Sequence, residues 1–189
     1  MPEPVIVVSG LPRSGTSLAM QMIHAGGIPA VTDGQRTSDE DNPRGYFEFE
    51  RVKQLKTDKA WLADAGGKVV KVIHLLLAEL PDDRPYRVVF MRRDLREVVK
   101  SQSTMLARSG RAGGGLPPER LIAIYEQQLR TLDAWIAARP NFQRLDVPYA
   151  ELVAGPPVWV PRVNQFLGGT LNEPAMLAAV DPSLHRNRA

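Results

Sequence analysis

The sequence predicts a three-layer α/β protein in which a central, mainly parallel β-sheet is flanked by helices. Three short segments predict strands: residues 5–8 are a continuous β-branched run, typical of a parallel strand that is buried on both faces, and residues 69–73 and 87–91 are predominantly apolar. Segments with helical periodicity or turn formers separate these runs. Strands that alternate with helices in this way form parallel sheets.

The first strand leads through a glycine-containing turn into a helix. After Gly15, apolar residues recur at helical spacing, and the Gly26-Gly27 pair provides a natural stop. Residues 30–47 are polar and rich in turn formers, which predicts an irregular loop. A loop of this length is usually functional or mobile.

The rest of the chain continues the alternation. The third strand ends at Arg92-Arg93, and the next helix, over residues 95–107, begins with Asp94 and Glu97 in a capping-box-like pair. The same patterns predict the remaining elements: a connector over 109–115, a helix from Pro117-Pro118 toward Ala138, a strand over 142–147, and short helices near 157–167 and 172–180.

Composition and charge indicate a single domain over residues 1–189, long enough to bury a core without disulfides. The chain has no cysteine, which excludes thiol nucleophiles and thiolate zinc sites and is compatible with a reducing cytoplasm. A net charge of +3 without long lysine-rich runs favours a small anionic ligand over nucleic acid. Since no apolar stretch approaches the ~20 residues of a membrane span, we expect no such span and a cytoplasmic location.

Residues 10–17 have the G-x4-G glycine spacing of a Walker A phosphate loop, but Thr16 stands where that motif has lysine. Glycines let successive backbone N–H groups point inward around an anion, and the helix that follows adds its positive N-terminal end. A plain glycine turn is the alternative interpretation. The residues expected to bind an anionic group of the diphosphate type are Arg13, Ser14, Gly15, Thr16 and Ser17.

A second basic motif follows the third predicted strand, where Arg93 stands at the carboxyl end and Ser101 comes eight residues later. With the loop sequence at residues 12–17, this pattern resembles the sulfotransferase family that uses 3′-phosphoadenosine 5′-phosphosulfate (PAPS). The loop of that family reads P-x-S-G-T-[ST], and its second motif pairs an arginine with a serine at this spacing. The resemblance covers most of the chain and extends to residues 42–48, 147–153 and 166–168.

The resemblance implies a P-loop NTPase-like fold and a small bacterial type of sulfotransferase. It implies PAPS as the sulfuryl donor, 3′-phosphoadenosine 5′-phosphate (PAP) as the product, and no metal. Residues 13–17 would hold the 5′-phosphosulfate, and Arg93 and Ser101 the 3′-phosphate. The family's C-terminal donor-binding sequence, Lys and Gly followed by Gly-Asp-Trp-Lys, is not found here. Arg186 or Arg188 is a candidate substitute, and a solvated charged tail is the alternative.

Three side chains are candidates for the chemistry. Lys71 and His74 lie at the end of the second predicted strand, the edge at which open α/β sheets place their ligands. In cytosolic sulfotransferases a Lys-Thr-His stretch with histidine as the base follows a comparable strand, whereas the histidine here comes one residue later. Glu48 is the competing base, by similarity to some Golgi-type members. A packed histidine and a solvated or salt-bridged glutamate are the respective alternatives.

Other functions stay open on the sequence. One is a P-loop phosphotransferase or kinase that uses ATP and magnesium, although Thr16 in place of lysine argues against it. Another is a non-catalytic PAPS- or PAP-binding module, since the chain is short for the family. For a sulfotransferase, we expect the acceptor to be a small molecule or a glycan with a hydroxyl or amine group. We expect residues 30–47 and 108–116 to form the acceptor pocket. The sequence is also compatible with a homodimer.

Overall fold

The structure is a computed structural model that describes residues 3–35, 45–108 and 115–181. Part of the predicted loop 30–47, nearly all of the predicted connector, and Arg186 and Arg188 lie outside these ranges. The described residues contain one four-stranded sheet in the order β2-β1-β3-β4, with every pair parallel. The strands are β1 (Val5–Gly10), β2 (Val69–Lys71), β3 (Tyr86–Arg92) and β4 (Phe142–Pro148). The predicted α/β class and parallel sheet are confirmed.

Helices flank the sheet on both faces. The described α-helices are α1 (Thr16–Ala25), α2 (Leu95–Arg108), α3 (Pro118–Ala137), α4 (Tyr149–Ala154), α5 (Pro156–Leu167) and α6 (Glu173–Ala179). The described residues also form 3₁₀ helices at Glu50–Gln54, Ala60–Asp64 and His74–Glu79. The predicted helices are confirmed to within a few residues at their ends. Neither α4 nor the 3₁₀ segments were predicted. Within the described ranges, no helix has the length and hydropathy needed to cross a membrane.

The sheet separates two hydrophobic cores, which explains the continuous apolar run in β1. Ile6 and Val8 pack in the core that contains α1, α5 and α6, whereas Val5 and Val7 pack in the core that contains α3 and the 3₁₀ helices. Each of these four side chains is at most 5% exposed. Full burial of such a side chain contributes about 1.5–3 kcal/mol, so both faces of the central strand must be apolar.

The strand order creates a crevice beside the end of β1. β2 pairs with one edge of β1, and the chain then crosses over β1 to place β3 along its other edge. In open α/β sheets, ligands bind beyond the carboxyl ends of the strands at the point where the order reverses. Here that point lies between the ends of β1 and β3, where Gly10 is aligned with Met91.

Helix α2 is separated from β3 only by Arg93 and Asp94, and its start carries the predicted cap. The Asp94 carboxylate accepts hydrogen bonds from the backbone N–H groups of Arg96, at 2.8 Å, and Glu97, at 3.2 Å. The Glu97 side chain is directed toward Arg93, its partner at 2.8 Å. The Asp94 half of the predicted capping box is therefore present, whereas the Glu97 side chain bonds Arg93 instead of the helix cap.

Candidate anion-binding and catalytic site

The loop between β1 and α1 has a backbone that requires glycine at two positions. The φ angles of Gly10 and Gly15 are 151° and 101°, in the region that residues with a side chain rarely adopt. A Cβ atom on Gly15 would lie 2.4 Å from the Tyr149 ring, and one on Gly10 would lie 2.4 Å from the Ser14 hydroxyl. The two glycines therefore permit the turn and the close approach of its neighbours.

The loop chemistry fits an anionic group. Ser14 is 1% exposed, and its hydroxyl has no hydrogen-bond partner in the part of the chain that the structure describes. Leaving a buried polar group unsatisfied costs about 1–3 kcal/mol. The N-terminus of α1, at Thr16, adds backbone N–H groups and the positive end of the helix dipole. An oxygen of a bound phosphate or sulfate is a suitable partner for the Ser14 hydroxyl.

The second basic motif contacts the loop directly. Ser101 accepts a hydrogen bond from Arg13 Nε at 3.1 Å, although the two residues are 88 positions apart in the sequence. Arg93 Nη1 donates to the carbonyl of Arg13 at 2.9 Å, and Gln102 Nε2 donates to the carbonyl of Pro12 at 3.3 Å. The structure thus joins the two sequence-predicted anion motifs into one site.

Arg93 is held within this site by residues from two helices. Its Nε donates to Glu97 Oε2 at 2.8 Å, and the two side chains are only 8% and 9% exposed. The centre of its guanidinium lies 4.7 Å from the centroid of the Tyr149 ring, a cation–π distance. Tyr149 is the residue that also packs against Gly15. Helix α4 therefore links the glycine loop to the arginine.

Lys71 brings an ammonium group to the other end of the loop. It is the last residue of β2, and its Nζ donates to Ser17 Oγ at 3.1 Å and to the carbonyl of Tyr46 at 2.5 Å. Glu48 Oε1 lies 3.9 Å from the same nitrogen. A lysine from the neighbouring strand thus approaches the loop whose own sequence has Thr16 in the Walker lysine position.

His74 follows β2 and is buried, with 4% of its surface exposed. Its Nε2 lies 2.9 Å from Gln128 Oε1 on α3, and its Nδ1 has no hydrogen bond of normal geometry to any described residue. Burial lowers the pKa of His74 because it disfavours the imidazolium, while Gln128 and the backbone of Gly10 partly oppose this effect. The imidazole is therefore held in its neutral form near neutral pH.

Sequence reasoning missed several residues that shape the site. Tyr149 lies in a segment noted for its resemblance to the family, but no role followed from its position. Gln102 stands beside Ser101 in the predicted helix over residues 95–107, where no motif marks it, and the sequence pattern assigns Glu97 only to the helix cap. Nothing in the sequence connects Gln128 with His74, because only the packing of α3 brings them together.

The fold and the site define a class: a phosphate-loop α/β protein in which two candidate anion-binding motifs are in contact at the switch point of its sheet. The chain matches the sulfotransferase family over residues 43–173, more than half of its length, and belongs to that family. The family resemblance is thereby confirmed.

Solved structures agree with this assignment at the level of the fold. A sulfotransferase from Mycobacterium tuberculosis matches with a TM-score of 0.55 and 18% identity, over 95% of this chain and 71% of that one. The sulfotransferase domain of the Synechococcus olefin synthase matches with a TM-score of 0.54 and 15% identity, over 97% of this chain and 86% of that one. Retinol dehydratase in complex with androsterone and inactive cofactor PAP matches with a TM-score of 0.54 and 18% identity, over 95% of this chain and 64% of that one. No curated protein sequence matches the chain.

Proposed function

We propose that this protein transfers a sulfuryl group from PAPS to a hydroxyl or amine acceptor. The observation that carries the proposal is the direct contact between the two anion motifs, in which Arg13 bonds Ser101 and Arg93 bonds the Arg13 backbone. A donor with two separate phosphate positions on one nucleoside would engage both motifs at once. ATP has no 3′-phosphate and would leave the second motif without a ligand group.

In this proposal each motif binds one end of the donor. The loop N–H groups and the hydroxyls of Ser14, Thr16 and Ser17 hold the 5′-phosphosulfate. Arg93 and Ser101 hold the 3′-phosphate. Arg13 lies between them, because its backbone carbonyl and its side chain each contact the second motif.

Lys71 is the proposed source of charge stabilisation. In the transfer, the acceptor oxygen or nitrogen forms a bond to sulfur while the bond from sulfur to the bridging phosphate oxygen breaks. The electron pair of that bond remains on the phosphate, and the acceptor proton passes to a base. An ammonium group beside Ser17 lies where negative charge develops on the departing phosphate. It therefore stabilises the transition state more than the bound donor.

Glu48 is our first candidate for the base and His74 the second. Glu48 lies beside Lys71 and its side chain is 24% exposed, so an acceptor hydroxyl can approach it. His74 is also placed after β2, but it is 4% exposed and bonded to Gln128. A general base must come within hydrogen-bond distance of the proton that it removes, which favours the more accessible carboxylate.

The variants Glu48→Gln and His74→Gln separate the two candidates. We expect Glu48→Gln to lower kcat by about 100-fold, since general-base catalysis contributes roughly 10²–10⁴-fold. His74→Gln, which retains a donor toward Gln128, should leave kcat within about threefold of the wild type. The measurement is steady-state sulfuryl transfer at saturating donor.

The pH profile provides the control for this comparison. If His74 is the base, wild-type kcat falls only below pH 6.5, because burial lowers the pKa of His74 from that value. His74→Gln would then be far less active than the wild type above pH 6.5, and its kcat would lack this decrease at lower pH. A large loss in His74→Gln together with a small loss in Glu48→Gln would reverse our assignment.

The donor assignment is tested by calorimetric titration with PAP, beside ATP with magnesium. We expect the wild type to bind PAP, and Arg93→Met to weaken this binding by about 100-fold, because truncating one partner of a buried charged contact costs about 2–5 kcal/mol. Arg96→Met, at an exposed arginine in the first turn of α2, is the matched control and should bind PAP as the wild type does.

Two outcomes of the titration would contradict the proposal. Binding of ATP with magnesium but not PAP would favour a phosphotransferase. Tight PAP binding without sulfuryl transfer to any member of a panel of small-molecule and glycan acceptors would favour a binding module. The sulfotransferase family match favours neither of these alternatives.

A further inference from the structure

The proposed 3′-phosphate site contains a buried carboxylate. The side chain of Glu97 is 9% exposed and lies 2.8 Å from the guanidinium of Arg93. A negative charge beside a phosphate position repels the ligand, and the repulsion is strong where water is excluded. A carboxylate at this position therefore requires a compensating benefit.

The start of α2 does not need Glu97. A glutamate in the first turn normally supports a helix by bonding the N-cap residue or by interacting with the dipole. Here Asp94 accepts hydrogen bonds from two N–H groups of the first turn. The contact between Glu97 and Arg93 is thus additional to the cap, and it directs the glutamate toward the site.

We infer that Glu97 is a positioning residue that holds the Arg93 guanidinium against the phosphate loop and thereby sets the preference for ligands with a 3′-phosphate. The inference rests on the proposed function, because it takes the 3′-phosphate as the ligand of Arg93. Contacts with described residues hold the guanidinium on several sides: Nε bonds Glu97, Nη1 bonds the Arg13 carbonyl, and the face of the group lies over the Tyr149 ring.

Holding the arginine in advance lowers the entropic cost of binding. A free arginine side chain has many rotamers, and a ligand that orders it must overcome the loss of this rotamer entropy. Since Glu97 fixes the Nε edge, Arg93 is already ordered when the donor arrives. The benefit applies only to a ligand that contacts Arg93, so it selects for the 3′-phosphate and is neutral toward the rest of the nucleotide.

Glu97→Asp and Glu97→Gln separate position from charge. The aspartate keeps the negative charge but withdraws it by one methylene group, whereas the glutamine keeps the reach and an acceptor oxygen. Titration uses PAP and AMP, which differ only by the 3′-phosphate. We expect Glu97→Asp to weaken PAP binding about tenfold with AMP affinity unchanged, and Glu97→Gln to bind PAP at least as tightly as the wild type.

The double variant Arg93→Met/Glu97→Asp tests whether Glu97 acts through the arginine. If it does, this protein binds PAP no more weakly than Arg93→Met alone. Thermal melting of every variant establishes that each one is folded at the titration temperature. Equal losses for PAP and AMP in Glu97→Asp, or losses that add in the double variant, would overturn the inference.

Failure of the proposed function gives a different pattern. A wild-type protein that binds PAP no better than AMP would remove the 3′-phosphate site, and the positioning role would be removed with it. A wild type that prefers PAP through Arg93, with Glu97→Asp indistinguishable from it, would leave the proposed function intact and overturn the positioning role alone.

Discussion

Replacing Lys71 by methionine is expected to lower kcat for sulfuryl transfer by 10²–10³-fold, the usual effect of removing one group that stabilises developing charge. Methionine preserves the aliphatic stem of this largely buried side chain and removes the ammonium that bonds Ser17 and the Tyr46 carbonyl. PAPS carries little of the charge that develops on the departing phosphate, so its affinity should change far less than kcat, whereas PAP carries that charge in full and should also bind more weakly. A loss confined to kcat identifies an interaction made mainly in the transition state.

Lys68→Met is the matched control, because Lys68 directly precedes the first residue of β2, at the opposite end of that strand from Lys71. Lys71→Arg adds a second comparison, since it keeps a positive charge but replaces the compact ammonium with a planar group. We expect Lys68→Met to be fully active. The kcat of Lys71→Arg should lie between those of the wild type and Lys71→Met. Full activity in Lys71→Met would mean that the charge on the departing phosphate is stabilised elsewhere.

The case of Lys71 shows how far the sequence leads toward the site. Its place at the end of an apolar run predicts the carboxyl edge of the sheet, because side-chain pattern and strand direction are local properties. Short local motifs likewise predict the roles of the loop glycines, Arg93 and Ser101. The contact of Lys71 with Ser17 depends on the pairing of β2 with β1, in which Val8 is aligned with Lys71. That pairing joins segments far apart in the chain.

The features that the sequence did not predict are short helices and contacts between residues far apart in the chain. Helix α4 has six residues, too few for a helical repeat to be recognised, and begins directly after Pro148 at the end of β4. The 3₁₀ helices use i to i+3 bonding and leave no clear apolar period. Because α4 carries Tyr149, missing this helix also hid the contact that connects Gly15 to Arg93.

Gly15→Ala is expected to weaken PAP binding by at least about 100-fold, because it disturbs both anion motifs. An alanine at φ 101° is strained, and its Cβ would lie 2.4 Å from the Tyr149 ring. The ring must then move, and Arg93 rests on that ring. The loop also loses the conformation that directs its N–H groups toward the anion. The measurement is titration with PAP, with thermal melting in parallel.

Gly27→Ala isolates the backbone strain from the contact. Gly27 has φ 112°, close to that of Gly15, but a Cβ there would meet nothing within 4 Å. Both variants should lose about 1–2 kcal/mol of stability from the left-handed backbone, and Gly15→Ala should lose more because of the ring. Since Gly27 follows α1 at the end remote from the loop, Gly27→Ala should bind PAP normally. Equal PAP affinity in the two variants would show that residues 10–17 do not form the anion site.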